Sequence, residues 1–172
     1  MQTSKQIKKC LKEGIVTTEM LSSAIYSINK RAKNMRDNER EYRHHPEYRQ
    51  EYHEKKKEYY KCKDELLSYV QPCEIHTVVR EHWERDNFGW DKTFFIEEYL
   101  FYIVGDKSFH SPLPLPIGEK YKHLPVVKLD ELETFGKEPN DLMSVQTARK
   151  ILEGLRSGTL RYVGNEITSL AA

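Results

Sequence analysis

Between Glu41 and Glu47 the chain reads Tyr42-Arg43-His44-His45-Pro46, and a hydrophobic register stops there. Upstream, Leu21, Ile25, Ile28, Ala32, Met35 and Tyr42 recur in alternating steps of four and three, with Glu39 in the skipped position. That is a heptad seam, on a helix that Thr17 or Thr18 can cap. Downstream, Tyr48, Tyr52, Tyr59, Cys62, Leu66 and Tyr69 form a second seam, with Lys55 in the skipped position. Continuing the first register past Tyr42 would give Pro46 and Arg49, not Tyr48. Proline fits the first turn of a helix and disrupts an interior. An antiparallel helical hairpin folding about residue 45 explains both seams. It pairs Tyr42 with Tyr48, Ala32 with Tyr59, Ile28 with Cys62, Ile25 with Leu66 and Leu21 with Tyr69. A single kinked helix pairing with another subunit is the rival reading. A short helix over residues 4–13, capped by Ser4 and closed by Gly14, precedes the hairpin.

The 172 residues carry a net charge of only +1, which excludes a strongly basic nucleic-acid coat and an acidic tail protein. The neutrality hides an asymmetry. Residues 1–70 hold 16 Lys and Arg against 11 Asp and Glu, whereas residues 71–172 hold 12 against 16. Six of the seven prolines and seven of the eight glycines lie in the second part. The boundary falls at Gln71-Pro72, giving a helical hairpin region over 1–71 and a small α+β domain over 72–172. No apolar run approaches the roughly 18 residues that span a bilayer, and no signal peptide opens the chain, so a cytoplasmic protein without membrane contact is expected. Cys10, Cys62 and Cys73 are odd in number and widely spaced, which is no disulfide framework.

Glu74-Ile75-His76-Thr77-Val78-Val79-Arg80-Glu81-His82-Trp83 has a β-branched centre. As a strand it places Ile75, Thr77, Val79 and Trp83 on one face and His76, Arg80 and His82 on the other. A helix started by Pro72 competes, because Ile75, Val78, Val79, His82 and Trp83 also make a 3.6-residue stripe. Strand is the preferred reading. A turn over residues 84–90, a long aromatic strand from Thr93 to Val104, a turn at Gly105-Asp106-Lys107 and a short return over residues 108–111 complete an antiparallel meander. Pro112-Leu113-Pro114-Leu115-Pro116 reads as an extended connector. Val126, Val127 and Leu129 suggest an edge strand. A helix from Ser144 carries the stripe Val145, Ala148, Ile151, Leu152 and Leu155 and closes at Gly158. Residues 160–163 suggest a last strand. The expected fold is α+β: a helical hairpin, then a small antiparallel meander packed by the C-terminal helix.

The sequence has no GxGxxG, GxxxxGK[ST], GxSxG, HExxH or CxxC signature. No cofactor and no metal is expected. Cys62, Cys73, His76 and His82 lack the spacing of a zinc site. His76, Arg80, His82 and His110, with Tyr102 nearby, are candidates for binding a small anionic ligand such as a nucleotide. Imidazoles beside a guanidinium also suit phosphoester chemistry, and Glu97 or Glu98 would then orient a histidine. No nucleophile–base pair is visible, so no catalytic residue is assigned.

Between Lys30 and Lys63 lie 12 Lys and Arg, 7 Asp and Glu and three histidines, with interleaved tyrosines. Such a surface can meet nucleic acid, but glutamates interrupt every candidate stripe, and a solvated coiled-coil surface accounts for it. Arg36, Arg40, Arg43, Tyr48 and Arg49 are the candidate partner contacts there. Trp83, Phe88, Trp90 and Phe94 cluster about a turn. They fit a small core better than a surface; if exposed, Trp83, Phe88 and Trp90 become hot-spot residues for a partner protein.

In its broad manner, a small cysteine-poor chain with a charged helical arm, the sequence resembles phage accessory proteins. No specific motif carries that resemblance. The expected function is non-enzymatic: binding and occupying or sequestering a partner, as an inhibitor of host machinery would. The partner is protein in preference to nucleic acid. The hairpin seam would also serve self-association, so a homo-oligomer is expected.

Overall fold

The computed structural model describes residues 4–114, 118–132 and 143–164. It has two compact units. The described part of the first comprises residues 4–70, 104–107 and 143–164; that of the second comprises residues 71–103, 108–114 and 118–132.

In the helical unit, α1 (Ser4–Lys12) ends at Gly14, whose φ of +77° is the left-handed conformation a helix stop favours. Strand β1 (Ile15–Thr17) follows. The Thr17 hydroxyl accepts from the Met20 N–H at 3.2 Å and starts α2 (Thr18–Glu41). A turn over residues 42–45 leads into α3 (Pro46–Leu67), with Pro46 in the first turn where its missing N–H costs nothing. Tyr42 stacks on Tyr52 at 5.5 Å and tilts against Tyr48 at 5.5 Å. The α+β class and the helical hairpin are therefore as the two seams require. Away from the turn the pairing slips along α3. Glu39 meets Lys56 at 2.7 Å and His53 at 2.9 Å, where the seam places it opposite residues 51 and 52. Lys56 above all, and then His53, hold the Glu39 carboxyl below its ordinary pKa.

Helix α4 (Val145–Ser157) is capped by Ser144, whose hydroxyl accepts from the Thr147 N–H, and closes at Gly158 with φ +81°. It buries Ala148, Ile151, Leu152 and Leu155 and packs with α2 and α3. The reason lies in α2, which is apolar or small on more than its seam: Met20, Ser22, Ala24 and Ser27 are buried as well. Ser27 donates to the Met143 carbonyl at 2.5 Å. Arg149 reaches Glu58 at 2.6 Å and Arg156 pairs with Glu65, fixing α4 beside α3. Strand β6 (Arg161–Gly164) pairs parallel with β1, a partnership that two such short segments do not announce.

In the sheet unit, residues 74–84 are strand. Strands β2 (Glu74–Asp86), β3 (Gly89–Val104) and β4 (Lys107–Pro112) form the antiparallel meander, and β5 (Val126–Leu129) adds a parallel edge, in the order β4-β3-β2-β5. The expected turn over residues 84–90 shrinks to Asn87-Phe88, because Asp86 and Gly89 are already a cross-strand pair. Leu115 and Pro116 of the proline-rich connector lie outside the described residues. No helix among the described residues is long and apolar enough to cross a membrane.

One buried cation sets a test of the hairpin. Lys63 of α3 is only 8% exposed, with its ammonium over the Tyr60 ring at 5.8 Å. Burial pushes its pKa down to about 8; Lys33 adds to the shift and Asp64 opposes it. Below pH 8 both the folded and the unfolded states carry the proton, and the cost of burying the charge is fully present. Between about pH 8 and 10.5 only the unfolded state holds it, so this group makes stability rise with pH. Lys63→Met should therefore exceed the parent in urea stability at pH 7, on the order of 3 kcal/mol. The gap should narrow by about pH 9.5. A gap that does not change with pH would refute the assignment.

Candidate functional site

Strands β2 and β3 pair without a break from Glu74↔Phe101 to Asp86↔Gly89. Strand β5 flanks β2 only along residues 75–78. On the other side, the Leu113 N–H bonds the Glu98 carbonyl at 3.0 Å. Beyond these points the described residues give the pair no third strand. Residues 79–86 and 89–97 thus form a two-stranded arm.

Alternation sorts the arm's side chains. One face carries Val79, Glu81, Trp83 and Arg85 beside Ile96, Phe94, Lys92 and Trp90. The other carries Arg80, His82 and Glu84 beside Phe95, Thr93 and Asp91. The apolar residues of the first face are open to solvent: Val79 57%, Trp83 53%, Trp90 65%, Phe94 63% and Ile96 64%. Phe88, at the tip, is 99% exposed. The aromatic cluster is therefore not a core, correcting the reading that favoured one. A core needs a second layer, and alternation alone does not say whether one exists.

Two of the exposed rings, Trp83 and Phe94, are held in place. Lys92 extends its ammonium over Trp83 at 5.2 Å and over Phe94 at 5.0 Å, and its charge meets Glu81 at 2.9 Å. One cation thus bridges both strands and aligns two aromatic side chains. The tip is closed by the Asp86 carboxylate, which accepts from the Phe88 N–H at 2.7 Å.

The histidine candidates divide. His76 and His110 do come together: His76 Nδ1 lies 2.8 Å from His110 Nε2, and His76 Nε2 lies 2.7 Å from Glu74. His76 is 7% exposed and stacks on Phe101 at 4.3 Å. Arg80 lies further along the same face, where its Nε donates to Glu97 at 3.2 Å. Tyr99 donates its hydroxyl to the same carboxylate. That carboxylate holds the Arg80 pKa above its ordinary value, and burial followed by Glu97 raises that of Tyr99. The Arg80 charge is thus matched within the sheet. His82 lies six positions beyond His76, about 20 Å along the strand, and pairs with Glu84 at 3.0 Å. Tyr102 is buried on the opposite face from Tyr99 and Phe101. Glu97 therefore engages Arg80, and the carboxylate that orients the buried His76 is Glu74. Its signal was the i, i+2 spacing that puts Glu74 and His76 on one side of a strand.

Of the helical candidates, Arg40, Arg43, Tyr48 and Arg49 are exposed around the hairpin tip, and Arg36 is half-exposed beside Asp37 at 3.7 Å. Among the described residues no three His, Cys, Asp or Glu side chains gather to hold a metal ion. No known protein family, curated protein or solved structure matches this chain.

The His76–His110 contact has a measurable weight. His110→Ala deprives a buried imidazole nitrogen of its partner and should cost about 1–3 kcal/mol in urea unfolding. His82→Ala, on the exposed arm, should stay within about 0.5 kcal/mol of the parent. Equal effects would remove the distinction between the two histidines.

Proposed function

We propose that the chain is a non-enzymatic, cytoplasmic binding protein that occupies or sequesters a protein partner through the β2–β3 arm. The observation that carries this reading is the row of Val79, Trp83, Trp90, Phe94 and Ile96 open on one face. Two tryptophans and a phenylalanine, of which Lys92 aligns Trp83 and Phe94 before any partner arrives, have the composition of an interface hot spot. An inhibitor of a host component, of the accessory type found in phages, would work by such capture. Two further facts support protein over the alternatives. Arg80 is matched by Glu97, while His82 and Tyr102 lie apart from the His76–His110 pair, which disfavours an anion pocket. On the helices, Glu39, Glu51, Glu58 and Glu65 pair with basic groups and break any continuous phosphate-binding stripe.

The test is affinity capture from the native host, comparing the parent with Trp83→Ser/Trp90→Ser and with Arg40→Glu/Arg43→Glu. The tryptophan variant should lose the co-purifying protein, while its far-UV spectrum stays that of the parent. The arginine variant should retain it. Loss with the arginine variant alone would move the contact to the helical tip and refute the arm.

A further inference from the structure

The seam once expected to mediate self-association is used up inside the chain, since Leu21, Ile25, Ile28, Ala32 and Leu66 are fully buried. The arm is a different matter. With aromatic side chains burying 150–250 Å² each, its five exposed apolar residues leave roughly 600 Å² open. Two such faces together give roughly 1,200 Å², the lower limit for a stable specific interface.

The charges on that face are ordered. Glu98 lies at the base of the arm and Arg85 near its tip, while Glu81 and Lys92 between them pair with each other at 2.9 Å. Two acids and two bases leave the face neutral but polarised along its length. A two-fold axis that lies in the interface and runs across the strands reverses their direction, so it sets the basic tip of one arm over the acidic base of the other. A parallel arrangement would superpose like charges. The opposite face of the arm is not the contact, because Arg80, His82, Glu84 and Asp91 make it polar and charged around Phe95.

We infer that the occupant of the arm's apolar face is the same face of a second copy of this chain, the two arms packing antiparallel about a two-fold axis. This rests on reading the arm as a protein-docking surface, and it names the partner. The interface is isologous: Trp83 and Phe94 of each copy fill it, and Arg85 of one copy lies near Glu98 of the other.

Sedimentation velocity and native mass spectrometry of the full chain from 1 to about 50 µM test it, a range that spans a weak dimer of this area. The parent should dimerise. Trp83→Ser/Phe94→Ser should weaken association at least tenfold with an unchanged far-UV spectrum. Arg85→Glu and Glu98→Lys, two exposed substitutions, should each weaken the dimer severalfold. An equimolar mixture of these two variants should recover a heterodimer, because both cross-contacts then join opposite charges. The charge variants decide the matter if the aromatic variant does not fold. A parent that stays monomeric at 50 µM overturns the inference, as does a dimer indifferent to the aromatic or charge changes. A monomeric parent that still loses its host partner on Trp83→Ser/Trp90→Ser would leave the protein-binding reading standing and refute only the identity of the occupant.

Discussion

Helix α2 is buried on more sides than one, and the helical unit is arranged to satisfy it. Met20, Leu21, Ala24, Ile25, Ile28 and Ala32 are all fully buried. An amphipathic helix needs one neighbour; a helix apolar on several sides needs a surrounding. Helix α3 covers the seam, α4 covers the side lined by small residues, and the β1–β6 pair closes the end near Val16 and Val163. Truncating Leu21, Ile25 or Ile28 to alanine would cost about 2–5 kcal/mol each, which is of the order of a whole domain's stability. The polar features of the unit follow from this hub. Ser27 answers the Met143 carbonyl, Glu39 gathers His53 and Lys56, and Lys63 lies partly sealed beneath the helices.

What the sequence made legible was local. Pro46 and the change of register located the hairpin, and Thr17, Ser144 and Gly158 marked helix ends through their caps. The alternation of β2 separated His76 and Arg80 from Val79 and Trp83. What stayed hidden was non-local. The stripe on α4 says that one face is covered but not by what. Ile15–Thr17 is too short to announce a strand without its distant partner. The fate of Trp83 and Phe94 depends on whether a layer lies over them, and a period-two pattern is the same in either case. In the histidine cluster, residue type suggested His76 and His110, yet only the strand pairing brings them within 2.8 Å and takes His82 away.

The sheet divides its labour along one pair of strands. Near the base, side chains are enclosed: Ile75, Val78, Leu100 and Tyr102 are buried, and the Glu74–His76–His110 line satisfies polar groups that enclosure would otherwise strand. Past Val78 the same alternation continues, and Val79 is already open. A two-stranded hairpin alone is marginal in water, so the distal arm depends on its attachment to the paired base and on contacts such as that of Lys92 with Glu81. Two of the arm's exposed rings, Trp83 and Phe94, are aligned by a lysine that is itself tied to Glu81.

The order in which the chain is made bears on the helical unit in another way. Its first three helices precede the sheet, whereas α4 and β6 follow it. The Thr18 and Tyr162 hydroxyls, 3.2 Å apart, are separated by 144 positions, and Ser27 reaches Met143 across 116. While the ribosome is still making the sheet, α2 has α3 beside it but not the surface that α4 supplies. Ser27, which meets the Met143 carbonyl in the finished fold, then waits for the seconds that about a hundred further residues take to appear. Until α4 has been synthesised, the side of α2 that it covers has no partner in the finished arrangement, so the helical unit closes only after the sheet has been made.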